Sequence, residues 1–308
     1  MARASSKTRP PCAGLLTSRF EFDAIGTSWE IDTPAPLEPA TKDQILDLVE
    51  RFDSVYSRFP HDSIVTRIAK AVDGGTFSFP ADAVPMFEIY DQLHAATDRA
   101  VDPLVGRDLE LLGYDASYSL TPDEDAVELI SRHRLVWCQD VMRSGRTITT
   151  RAPLVVDVGA VGKGSLIDLV TGLLASEGIE GFIVDGSGDM RHRGSTALDV
   201  GLEHPFDPSM VIGVANLRNA SICASASNRR RWGKGLHHVL DGRTGRPTMD
   251  VIATWAIAAD TATADGLATA LFFGSPTQLM TTFDFSFVRM FADGRVEVSD
   301  NFDGEVFT

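Results

Sequence analysis

The sequence predicts a mixed α/β chain of the α+β kind, with mainly antiparallel sheets flanked by helices. Three observations carry that expectation. Apolar residues alternate with polar ones in short runs near the start and again after residue 180, the period of half-buried strands. Elsewhere they recur every three or four residues, the period of a helix with one buried face. The two textures do not take regular turns, so a repeating parallel βαβ sheet is not indicated.

In chain order, residues 1–18, rich in Ser, Arg and Pro, are expected to form a flexible arm ahead of one domain spanning 19–308. Phe20, Phe22 and Ala24 alternate with polar residues, and Trp29 and Ile31 resume the pattern after Gly26-Thr27, giving two strands around a tight turn. Ile45, Leu48, Val49, Phe52, Val55, Tyr56 and Phe59 share a helical face, with Thr41 and Gln44 as a capping box and Pro60 as the stop. A second helix starts near Ala83, with Pro85 tolerated in its first turn and Met86, Ile89, Tyr90, Leu93 and Thr97 on one face. Residues 154–158 read as an apolar strand and 159–164 as a glycine loop. Leu166, Leu169, Val170, Leu173 and Leu174 mark a third helix. Strand-like runs follow at 182–184, 198–202, 211–215, 220–224 and 251–258. A last helix covers roughly 263–273, before a hairpin at Ala292-Asp293-Gly294. The chain shows no internal repeat.

With 44% apolar and 23% charged residues over 308 positions, the chain can bury a sizeable core. Its 28 basic against 43 acidic side chains give a net charge of −15, a field that repels phosphate backbones and anionic lipid surfaces and argues against nucleic acid as a partner. A phosphorylated ligand would need a metal cation or backbone N–H groups to screen it. No apolar run approaches the ~18 residues of a membrane span. The N-terminus lacks the apolar stretch of an export signal, and Cys12, Cys138 and Cys223 are odd in number and widely spaced, so a cytoplasmic protein is expected.

Four stretches could carry chemistry. Gly159-Ala160-Val161-Gly162-Lys163-Gly164-Ser165 matches neither the P-loop nor the GxGxxG spacing, yet glycines at a helix start let a ligand approach backbone N–H groups. A tight turn without a ligand explains them equally. His237-His238-Val239-Leu240-Asp241-Gly242-Arg243-Thr244-Gly245-Arg246-Pro247 packs imidazoles, a carboxylate and guanidiniums into one turn, and a solvated hairpin is the plain alternative. Arg229-Arg230-Arg231 is a phosphate patch or a solvated face. Asp265 and Thr269, four apart on an apolar helix, offer oxygen to a hard cation such as Mg²⁺, or else serve the helix dipole and a back-bonded hydroxyl. Asp185 and Asp189 flank Gly186-Ser187-Gly188, as a turn or a ligand-facing loop.

Taken in order, these pieces resemble the ApbE family of FAD:protein FMN transferases. Phe22 to Thr27 is similar to its opening "MGT", and Phe52-Asp53 with Ser57-Arg58-Phe59 and Asp62-Ser63 to its "FD…S.F…S" stretch. Thr97 to Gly106 resembles "TDGAFDPTVG", Asp157 to Asp168 "DLGGIAKGYAVD", and Gly186 to Asp189 its "GGD". Cys223-Ala224-Ser225 falls at "ATSG", His238 to Gly245 at "HIIDPRTG" and Ala264 to Phe272 at "ADALATALF". The chain has Ile25 where the family has Met, Arg99 for Gly, Ser165 for Tyr and Gly242 for Pro.

The resemblance implies a two-lobed fold with FAD in the cleft and Mg²⁺-dependent transfer of FMN to a Ser or Thr hydroxyl of an acceptor protein, releasing AMP. It places flavin contacts at Ile25, Phe59, Ala100, Val101, Asp102, Gly159, Ser165 and Leu240, and metal ligands at Gly162, Asp265, Ala268 and Thr269. His238 and Asp241 are its candidates for proton transfer or positioning. A Mg²⁺-dependent FAD pyrophosphatase and a non-catalytic FAD-binding protein are the alternatives.

Overall fold

The computed structural model describes residues 16–59, 62–132, 134–228, 231–233 and 235–307. The N-terminal arm up to residue 15, the helix stop at Pro60 and the arginines at 229 and 230 lie outside the described residues.

Strands β1 (Ser18–Ala24) and β2 (Thr27–Thr33) pair antiparallel with Phe22 opposite Trp29. Their two-residue turn places Ile25 at φ 44° and Gly26 at φ 76°, the left-handed pair whose twist suits a hairpin. Glycine takes that geometry freely, whereas a β-branched Ile25 is strained there. The sheet continues through β3 (Phe182–Asp185), β4 (Met190–Arg193), β5 (Ser221–Ala226), β6 (Val251–Ala258), β7 (Ser286–Phe291) and β8 (Val296–Val298). These eight strands lie side by side in chain order, every neighbouring pair antiparallel. The expected antiparallel α+β architecture is therefore what the chain adopts.

Period-two alternation sends the two faces of this sheet into different cores. Phe182, Val184, Cys223, Ala256 and Phe287 join a helical layer, while Ile183, Ile222, Trp255 and Val288 join a second core. That second core is closed by a three-stranded sheet of Leu198–His204, Asp207–Leu217 and Gly304–Val306. The helical layer contains α1 (Pro39–Tyr56), α2 (Ala83–Ala96), α3 (Gly162–Ser176) and α4 (Thr261–Ala270). A small ribbon of Gly75–Ser78, Val141–Ser144 and Thr147–Thr150 forms a further sheet.

Several boundaries differ from expectation. α1 starts at Pro39, with Glu38 as an extended N-cap that makes no side-chain bond, so Thr41 sits buried inside the first turn instead of capping it. Proline at the first helical position, where no N–H is needed, fixes that start. The helix ends at Tyr56, leaving Phe59 beyond it. Thr97 is the C-cap of α2 rather than part of its face. Residues 154–158 are not a strand: Leu154 and Val156 are buried, but the Asp157 N–H goes to the Pro103 carbonyl (2.7 Å) and no ladder forms. α3 begins at Gly162, inside the expected glycine loop, and α4 ends at Ala270, short of Phe273.

Candidate functional site

A cleft of about 1040 Å³ opens where the β1–β2 turn, the end of α1, the start of α3 and the Asp265–Thr269 turn of α4 converge. Ile25 enters it from the hairpin turn, Phe59 from beyond α1, and Ala100, Val101 and Asp102 from the loop after α2. Gly159 and Gly162 border it at the start of α3, His238 and Leu240 in the segment after 235, and Asp265 and Thr269 one turn apart on α4. Three expected site residues stay outside. Ser165 turns its hydroxyl onto the Val161 carbonyl (2.9 Å), and Ala268 is fully buried with its carbonyl accepting from Thr254 Oγ1 (2.6 Å). Asp241 grips Arg243, taking its backbone N–H (2.8 Å) and its guanidinium (2.6 Å). Asp102 borders the cleft, but its carboxylate is spent on the N–H groups of Leu104 (2.8 Å) and Trp137 (3.1 Å) and on His94 (3.2 Å).

Charge at the cleft floor is strongly coupled. Lys163 pairs with the almost fully buried Asp189 at 2.7 Å, and the Ala224 N–H donates to the other Asp189 oxygen (3.1 Å). Asp265 accepts from the Gly164 N–H (2.9 Å); burial, then the nearby Asp189, push its carboxyl well above the usual carboxylate range, with Lys163 opposing. Burial pulls the Lys163 ammonium down, yet Asp189 and Asp265 outweigh it and leave it above the ordinary lysine value. At the other end, Arg58 is clamped by Asp157 (2.8 Å) and the Tyr114 carbonyl (2.8 Å) beneath the rings of Phe59 and Tyr114. Asp23, Glu50, Asp53, Asp102, Asp157, Asp189 and Asp265 line the cleft against two cationic side chains among the described residues, Arg58 and Lys163.

The glycine loop offers less than its sequence suggested. The N–H of Gly159 donates to Asp157 Oδ1 (2.7 Å), that of Ala160 to Tyr90 Oη (3.2 Å), and those of Val161 and Gly162 to the Val158 carbonyl. With Gly164 on Asp265 and Ser165 on the Val161 carbonyl, these six donors are all spent within the protein. Gly164 has a packing reason: a Cβ there would stand 2.3 Å from the Thr261 carbonyl oxygen, so glycine lets α3 close onto α4.

The family model described as the ApbE family matches residues 25–287, most of the chain. The chain belongs to the ApbE family. A Klebsiella pneumoniae (strain 342) protein named FAD:protein FMN transferase is 26% identical over 288 residues, 88% of this chain and 82% of that protein. The ApbE protein of Thermotoga maritima superposes with a TM-score of 0.80 at 23% identity, and the flavin transferase ApbE of Vibrio cholerae with 0.77 at 20%. Each covers 92% of this chain and 97% of its own, which shows the shared fold. In this ApbE-family chain, Arg99 takes φ 70° at the position that resembles the family's glycine, so the left-handed backbone is kept without the residue that favours it. Sequence reasoning missed the Arg58–Asp157 and Lys163–Asp189 pairs and the ring of Tyr118, which also borders the cleft.

Proposed function

We propose that the chain is a FAD:protein FMN transferase that uses Mg²⁺ to move FMN from FAD onto a Ser or Thr hydroxyl of an acceptor protein, releasing AMP. The observation that carries this reading is the charge of the cleft. A pyrophosphate entering it meets seven carboxylates, two cations already paired among the described residues, and a glycine loop with six of its N–H donors spent. An added cation screens the pyrophosphate charge in such a cleft.

Asp265 and Thr269 fit that cation: the carboxylate is buried beside a second carboxylate, which makes its negative charge costly until a positive ion joins it. The backbone at Gly162 borders the same space, and Ala268 joins the ligand set only if its carbonyl gives up the Thr254 hydroxyl. Bound Mg²⁺ supplies Lewis-acid stabilisation of charge on the pyrophosphate oxygens. In transfer the acceptor oxygen forms a bond to the FMN phosphorus as the P–O bond to AMP breaks, and the hydroxyl proton must leave. His238, in the cleft, is the proposed proton acceptor, while Asp241 orders the turn behind it through Arg243. Ile25, Phe59, Ala100, Val101, Gly159 and Leu240 form the proposed apolar bed for the flavin, with Asp102 bracing the Ala100–Asp102 loop and Ser165 the start of α3.

The reading treats 19–308 as one catalytic domain. It places the reaction in the cytoplasm, in keeping with Cys138 and Cys223 being free thiols; recovery of a processed or lipidated chain from membranes refutes that placement. Incubation with FAD, Mg²⁺ and a candidate acceptor tests the activity by mass spectrometry. Flavinylated acceptor plus AMP supports transfer, FMN plus AMP with the acceptor unmodified supports a pyrophosphatase, and unchanged FAD leaves a flavin-binding protein.

A further inference from the structure

At the mouth of the cleft Tyr118 stacks on Phe59, with ring centroids 5.1 Å apart and planes 19° from parallel, and meets Tyr114 edge-on at 5.4 Å. Its side chain is nonetheless half exposed. The backbone at Tyr118 holds φ 52°, a conformation that is costly for an aromatic residue. The strain is held locally: Asp115 Oδ1 accepts from the N–H groups of Ser117 (2.8 Å) and Ser119 (3.1 Å), and Leu120 N–H returns to the Gly113 carbonyl (2.8 Å). Residues 116–121 are all exposed; the loop is tied at its base to the Gly113 carbonyl by the Leu120 N–H and the Ser119 hydroxyl, and the Tyr118 ring meets Phe59 and Tyr114.

We propose that Phe59 and Tyr118 form an aromatic clamp that receives one planar heteroaromatic ring of FAD between them. Planar rings stack about 3.4 Å apart, so a ring seated between the two needs them about 7 Å apart, roughly 2 Å beyond their present spacing. A loop braced by its own hydrogen bonds moves outward by that much as a unit. FAD offers two such rings, isoalloxazine and adenine, and both present the same stacking faces. The proposal rests on the FAD reading above.

The test compares wild type, Tyr118→Phe and Tyr118→Gly in equilibrium titrations with FAD, FMN and ADP. Glycine accepts φ 52° without strain, so Tyr118→Gly removes the ring while the loop keeps its path, and an unchanged melting temperature of the unliganded protein checks this. Tyr118→Gly is expected to weaken FAD binding about 5- to 100-fold, and FMN or ADP by the same factor according to which ring the clamp holds. Tyr118→Phe binds as wild type. If wild type binds FAD and Tyr118→Gly binds FAD, FMN and ADP within twofold of it, the clamp is overturned and the functional reading stands. If wild type binds no FAD, both fall.

Discussion

Removing Lys163 tests the charge arrangement of the cleft floor most directly. Lys163→Met keeps the length of the side chain and deletes the ammonium 2.7 Å from Asp189, whose own side chain is 2% exposed. Stranding a buried carboxylate costs about 3–5 kcal/mol, and the low end applies because 24% of the Lys163 side chain reaches solvent, leaving a path for water. About 3 kcal/mol raises the unfolding constant roughly 150-fold. With an unfolding entropy of about 2.1 cal/mol/K per residue, the 308-residue chain changes stability by about 0.65 kcal/mol per degree, so the melting temperature drops by about 5 °C. Lys163→Met with Asp189→Asn removes both charges and keeps an acceptor for the Ala224 N–H, and its melting temperature should fall by only about 2 °C. Asp265 adds a pH signature. Its carboxyl is raised in the folded state, so its neutral form favours folding at low pH and that contribution is lost as pH rises through the folded value. The Lys163→Met deficit should therefore narrow as the pH falls. Melting curves of the two single variants and the double variant, in chelator, read all of this. A double variant whose loss equals the sum of the single losses refutes the coupling.

Asp265→Asn should abolish Mg²⁺-dependent AMP release from FAD while FAD titrations in chelator stay at least as tight as wild type, since one negative charge has left the cleft. Gly164→Ala forces a Cβ against the Thr261 carbonyl and should cost at least about 3 kcal/mol in urea unfolding, whereas Gly172→Ala, with nothing within 4 Å, should gain about 0.5–1 kcal/mol. Burial, with Arg231 nearby, holds His237 below the usual histidine value, against the opposing bond between its Nε2 and the Thr248 carbonyl (2.8 Å). The unfolded chain then binds the extra proton first, so stability falls as pH drops below about 6.5, and His237→Gln should flatten that slope in melting curves.

Where local rules suffice, the sequence is legible. The β1–β2 hairpin follows from alternation around Gly26, and α2 from a single apolar face, because both depend on neighbours within a few positions. Residues 154–158 mislead because Leu154 and Val156 are buried with strand periodicity, and periodicity reports burial but not whether a ladder partner exists. The capping box at Thr41 fails for a related reason: Pro39 starts the helix earlier, so a correct local signal lies inside the element it should open. Within the site, Asp265 and Thr269 are legible as one helical turn. Arg58 and Asp157, 99 positions apart, are not, since nothing local to either one names the other.

The same distinction governs how the net charge should be read. A charge of −15 says that an anionic ligand needs help, but not where the help comes from, and the sequence offers three sources: a basic side chain, the glycine loop or a metal. Among the described residues the fold commits both cationic side chains that line the cleft and six donors of the loop. Arg58 and Lys163 reach the cleft already committed to Asp157 and Asp189, and the loop donors turn inward to Asp157, Tyr90, Val158, Val161 and Asp265. What is left is a carboxylate whose proton affinity is raised by burial and by Asp189, which Lys163 offsets only in part. A site with spare positive charge would hold pyrophosphate in the absence of metal and could release it only slowly. One that borrows its positive charge couples dinucleotide binding to the cation, so the charge that admits the substrate is also the charge positioned to stabilise bond breaking.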